Sequence, residues 1–304
     1  MVRDDLYADL GNAYPPVIDE MYPMRDASAF PNMKQPHLLY GEDWKPALEE
    51  VAKNLLGQDD GEFLDGLVDG AGYVDFYTVG SYTSPQLFPR EDANGNWLSL
   101  HDQVWPADLT ELSTKARPEK IFYSLSVPRK EVSARGDGKP APVVLIGHGY
   151  TGNRFDVMQF SSYFARQGFA VVGIDGPSHG IGISEGEKAL AQALFAGMGI
   201  GAAGESLLLD RATDQNGDGL VDSGADFWTS YLFHTRDMVR QYALDYMQLI
   251  RVIKSFDGQR RWEFDLDGDG QNELAGDFDA DGVLDISAES EIYVFGGSLG
   301  GIMS

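Results

Sequence analysis

The chain has 304 residues, 43% hydrophobic and 12% aromatic, which excludes a disordered chain and supplies the core of one large domain or two ordinary ones. Its 48 acidic residues outnumber 23 basic ones, and the net charge of -25 repels nucleic acid and anionic membrane surfaces. With no cysteine, disulfide scaffolds, cysteine nucleophiles and Cys-ligated zinc are excluded.

The first twenty residues hold no basic cluster followed by an apolar run, so no secretory signal peptide is read there. Residues 1–120 are rich in Pro, Tyr and Asp and carry no recognised functional motif. A strand is predicted from Gly72 to Val79, and a hairpin turn at Asp92-Ala-Asn94-Gly95-Asn96. From Ile121 the texture changes to apolar runs ended by glycine turns: IFYSLSVP, PVVLIGHGY, AVVGIDGPSHG and EIYVFGGSLGG. Continuous β-branched runs of this kind predict parallel strands buried on both faces. Between the second and third, Phe155 to Gln167 has helical periodicity and ends at Gly168, giving a strand-helix-strand unit. The class is therefore α/β, a mostly parallel sheet flanked by helices.

Residues 184–210 read either as an insertion able to cap a site, with Phe195, Met198, Ile200 and Leu207 offered as an acyl pocket, or as an ordinary buried helix. Its apolar stretch, Ala189 to Gly204, is shorter than the roughly 18 residues of a membrane span and is broken by Gln192, so no transmembrane segment is expected. Phe227 to Phe256 places apolar residues at three- and four-residue spacing and predicts a long amphipathic helix, with Asp226 as N-cap and Gly258 beyond its end.

Two acidic insertions, 211–226 and 262–290, flank that helix. Three segments share one spacing: Asp214, Asn216, Asp218 and Asp222; Asp265, Asp267, Asp269 and Glu273; Asp277, Asp279, Asp281 and Asp285, each with glycine after the third acidic or amide position. Oxygens so spaced converge on a hard cation such as calcium, and the glycine permits the sharp turn. The bidentate glutamate of an EF-hand is replaced by Ala225, Gly276 and Ala288. The loops resemble thrombospondin type 3 or dockerin-like repeats, and weak structural Ca2+ sites of this sort imply an extracellular or periplasmic setting.

The last strand runs into Gly296-Gly297-Ser298-Leu299-Gly300. A serine nucleophile must project from a turn so tight that its neighbours two residues away are small, and glycine supplies both. His148-Gly149-Tyr150 ends one earlier strand, and Asp175-Gly176-Pro177-Ser178-His179-Gly180 ends the next. With these three motifs in this order, residues 121–304 resemble the α/β-hydrolase family, its esterase and lipase branch. The resemblance implies Ser298 as nucleophile and the backbone amides of Leu299 and Tyr150 as oxyanion hole. It also implies a triad acid and histidine after the nucleophile. All five histidines precede Ser298, so the chain is expected to be the front part of a longer protein. The implied function is a serine carboxylic ester hydrolase acting on a small acyl ester or lipid. The alternatives are a serine peptidase of the same fold and a calcium-binding surface protein on a non-catalytic scaffold.

Overall fold

The structure is a computed structural model that describes residues 2–26, 29, 35–45, 61–110, 112–214 and 221–303. Its seven described strands are β1 (Glu20–Met21), β2 (Leu39–Tyr40), β3 (Val74–Gln86), β4 (Arg117–Pro128), β5 (Val143–Gly147), β6 (Ala170–Ile174) and β7 (Ile292–Gly296). They form one sheet in the order β1-β3-β4-β6-β5-β7, with β2 also on β3.

The sheet is mixed. β6, β5 and β7 are parallel, in register from Val143 beside Ala170 and Ile292. β5 is buried throughout and alternates between faces: Val143 and Leu145 enter one cluster, Val144 and Ile146 another. This is the two-sided burial that its apolar run requires. β4, expected to be parallel, instead pairs antiparallel with both β3 and β6. An apolar run reports burial on both faces but not direction, and direction here follows from the β3–β4 hairpin. That hairpin pairs residues 74–86 with 117–128, so the sheet runs across position 120.

Helices α1 (Val2–Leu6), α2 (Asp9–Ala13), α3 (Glu62–Ala71), α4 (Leu112–Lys115), α5 (Asp156–Ala165), α6 (Glu185–Gly197), α7 (Gly201–Leu207), α8 (Leu232–Lys254) and α9 (Leu299–Met303) complete the described elements, with two short 3-10 turns at 130–137. α5, α6 and α7 cover one sheet face. α8 covers the other, with Tyr242, Tyr246, Leu249 and Val252 buried against the strands.

α8 begins five residues later than expected. Asp226 is not its N-cap: Tyr231 stands there with no side-chain cap, and Leu232 is exposed. The helix also buries a polar stripe. Asp237 accepts from the Trp105 amide, Gln241 bonds Pro85 and Leu87, Asp245 accepts from Ser84, and Gln248 donates to Tyr14 and Thr83. These bonds fasten the N-terminal 120 residues to the core. Each satisfies a buried polar group that would otherwise cost about 1–3 kcal/mol.

The segment expected to cap a site lies elsewhere. Phe195, Ile200 and Leu207 are buried with Met24, Trp44, Tyr77 and Met158 against the sheet, and Met198 packs on that cluster. Trp44 stacks on Phe195 at 6.3 Å, and α7 is held at its start by Asp26, which accepts from the Gly201 and Ala202 amides. The apolar pattern was that of a core helix pair, docked on partners about 150 residues away. Among the described residues, no helix is long and apolar enough to cross a membrane.

Candidate active site

β7 ends at Gly296 and α9 begins at Leu299, leaving Gly297 and Ser298 to turn the chain. Ser298 has φ 53°, in the left-handed region that costs a side-chain-bearing residue on the order of 1 kcal/mol or more. The side chain is exposed. Packing imposes this conformation. A β-carbon on Gly296 would lie 2.4 Å from the carbonyl carbon of Gly300, so only glycine lets strand and helix meet this closely.

The loop after β5 comes alongside. A β-carbon on Gly149 would stand 3.9 Å from that of Ser298. The Tyr150 and Leu299 amides donate to no acceptor among the described residues. Two unengaged N–H groups flanking an exposed hydroxyl are the components of an oxyanion site.

His148 fixes that loop. Its Nδ1 donates to the Gly149 carbonyl and its Nε2 accepts from the Gly176 amide, each at 2.8 Å. Burial pushes its pKa down to about 4. His179 donates from Nδ1 to the Pro177 carbonyl at 2.9 Å, and its Nε2 is enclosed without a partner. Burial pushes its pKa down to about 3, and the neighbouring His148 adds to the effect. Both rings are therefore neutral structural groups. His234 lies between the carbonyls of Gln103 and Asp226, His37 bonds the Phe278 carbonyl, and the His101 ring lies tilted against Tyr231 with centroids 4.4 Å apart. No histidine ring nitrogen bonds Ser298 Oγ among the described residues.

The third motif also has a structural task that the sequence did not disclose. Asp175 accepts from the Arg154 backbone amide at 2.7 Å and pairs with its guanidinium, which in turn donates to the Ser206 and Leu207 carbonyls. Arg211, fully buried, joins the Asp175 carbonyl to Glu119 and Asp245. Together they tie the end of β6 to β4, α7 and α8. Nothing in the spacing of these residues announced the pairs.

Of the acidic segments, two are described in full. Asp265, Asp267, Asp269 and Glu273 bring carboxylate oxygens within 4.8 Å of one another, and so do Asp277, Asp279 and Asp285. The two loops share one bonding pattern. Gly270 and Gly282 donate to Asp265 and Asp277 at 2.8 Å, while the Leu266 and Phe278 amides donate to Glu273 and Asp285 at 2.9 and 2.8 Å. Gly268 and Ala280 occupy the same left-handed position, at φ 76° and 58°. The second loop differs in its surroundings. Arg135 pairs with Asp279 and Asp285, and Lys130 with Asp281, while Asp279 Oδ1 is buried without a partner. Burial pushes Asp277 up to about 6 and Asp285 to about 8, the latter against the pull of Arg135. In the first acidic segment Asp214 and Asp222 are described, whereas Asn216 and Asp218 lie outside the described residues.

No family model matches the chain, and no curated protein matches it. Among solved structures it is similar to a point mutant of the rice cell wall degrading esterase LipA from Xanthomonas oryzae. That likeness is weak, with a TM-score of 0.22 and 14% identity over 62% of this chain and 36% of the other. The chain thus spans about a third of that structure's length.

Proposed function

We propose that the protein is a serine carboxylic ester hydrolase with Ser298 as nucleophile. The observation that carries this reading is the Ser298 turn itself: an exposed hydroxyl at positive φ, with the unengaged amides of Tyr150 and Leu299 beside it. Ser298 Oγ would add to the ester carbonyl as its proton passes to a base. The oxyanion would be held by the two amides, and collapse would expel the protonated alcohol to leave an acyl-serine that water hydrolyses. Among the described residues the rings of the five histidines make their contacts elsewhere and none bonds Ser298.

Calcium is proposed as a structural ion. The 265–273 loop offers four acidic oxygens in a compact, exposed group suited to a hard cation, and the 277–285 loop repeats its turn. Such loops without a twelfth-position ligand suit the calcium-rich surroundings of an extracellular or periplasmic protein.

The test of the catalytic reading is covalent labelling by a fluorophosphonate, mapped by mass spectrometry. Ser298 is expected to carry the adduct, Ser298→Ala to abolish it, and added imidazole to accelerate it by standing in for the base. An adduct on another serine, or no adduct at any imidazole concentration, would refute the assignment.

A further inference from the structure

Four aromatic rings form a two-tiered cluster that includes Tyr150 of the loop beside Ser298. The inner pair, His179 and Phe227, is fully buried, with centroids 5.1 Å apart. The outer pair, Tyr150 and Trp228, is 40% exposed in both cases, with centroids 6.3 Å apart and planes at 64°. Tyr150 rests on His179 at 6.1 Å, and Trp228 on Phe227 at 5.2 Å. Phe227 shares its cluster with Leu299, the residue after the serine, and Tyr150 follows Gly149, which lies against Ser298.

We propose that Tyr150 and Trp228 form the specificity surface of the Ser298 site and that the substrate is an ester carrying a neutral aryl group. The inference rests on the hydrolase reading above and names the substrate class of the same site. Rings seated on a buried second tier lose little freedom when a ligand stacks on them, so binding meets a pre-formed surface. Two aromatic faces set edge to face leave a re-entrant corner that admits a flat ring in stacked contact with one wall and edge contact with the other. A linear acyl chain packs on such faces by dispersion alone and lacks the added ring–ring term. Charge selects further: the chain's net charge of -25 disfavours an anionic ring.

The experiment titrates the full chain by isothermal calorimetry with three non-hydrolysable amides, N-methyl-3-phenylpropanamide, N-methyl-3-cyclohexylpropanamide and N-methylheptanamide. The phenyl compound is expected to bind about tenfold more tightly than the other two, the gain of one well-placed aromatic contact. Trp228→Ala should erase that preference, and Trp228→Phe, which keeps a ring and serves as the control for folding, should retain part of it. Equal affinity for all three amides, or a preference that survives Trp228→Ala, overturns the proposal. Labelling of Ser298 is read separately. If the phenyl amide binds selectively while Ser298 never labels, the hydrolase reading fails and the aryl surface stands. If Ser298 labels but the amides are not distinguished, the aryl proposal fails alone.

Discussion

Gly300 in α9 lies so close to Gly147 at the end of β5 that a β-carbon on Gly300 would stand 1.9 Å from the Gly147 carbonyl oxygen. The Ser298 turn is thus wedged against the neighbouring strand by close backbone contact. Gly300→Ala should force α9 outward, cost about 1–3 kcal/mol and strongly reduce labelling of Ser298. Thermal melting and adduct yield measure both effects. A variant that melts and labels like the parent would show that this contact does not set the turn.

The positive φ of Ser298 gives a second expectation. Glycine adopts that conformation without strain, whereas alanine inherits it. Both Ser298→Gly and Ser298→Ala should be inactive, yet the glycine variant should be more stable than the alanine variant by up to about 1 kcal/mol. The reverse order in urea denaturation would remove the argument for stored strain.

Acid and alkali should each destabilise the metal-free protein, for separate reasons. His148 and His179 have folded pKa values of about 4 and 3, below their ordinary value of 6.5. The unfolded chain therefore binds more protons, and stability falls as pH drops from 6.5 toward 4, by about 3 kcal/mol for His148 alone. Asp277 and Asp285 are raised to about 6 and about 8, so their contribution is present at low pH and is lost as pH climbs through those values. Urea midpoints taken in chelator should peak near pH 6. A midpoint that keeps rising to pH 9 would contradict the assignment of these carboxyls.

The calcium proposed above would bind the ionised carboxylates and should therefore reverse the alkaline loss. At 100 times its Kd an ion bound only by the native state adds about 2.7 kcal/mol. Asp265→Asn with Asp267→Asn should remove part of that gain, beyond any loss in chelator from the backbone amides that Asp265 and Asp267 accept. Identical melting curves in chelator and in millimolar calcium would reduce the loops to acidic turns.

Arg135 supplies a further test. Its guanidinium is 1% exposed and meets Asp75, Asp279 and Asp285. Arg135→Met should cost about 3–5 kcal/mol in chelator at pH 9, where Asp279 and Asp285 are ionised and would lose their buried partner, and less with the proposed calcium bound to the same carboxylates. Equal losses in the two buffers would place no ion near Asp279 and Asp285.

What the sequence disclosed about this molecule was whatever is encoded locally. β5, β6 and β7 were legible because each is an apolar run stopped by glycine, and the Ser298 turn because its glycines are two residues away on either side. The shared turn of the 265 and 277 loops was legible because its ligands lie within nine residues. The direction of β4, the burial of Phe195 and Leu207, and the roles of Arg135, Arg154 and Arg211 depend on partners distant in sequence, and neither periodicity nor spacing carries that information. The polar stripe of α8 shows the limit clearly. Asp237, Gln241 and Asp245 recur every fourth residue like a solvated face, and all three are buried.

β7 closes the described sheet order and is paired on one side only, through five residue pairs with β5. Tyr293, Val294 and Phe295 are about half exposed. Half of this strand's amides point into the ladder and half away from it, so hydrogen exchange should alternate along residues 292–296, slow and fast by turns, unlike the uniform protection due to β5. The opening free energy of that ladder then contributes, with the Gly300–Gly147 contact, to the fraction of time Ser298 is held against the Tyr150 loop. Any molecule that adds a strand to the free edge would raise that fraction without touching the serine.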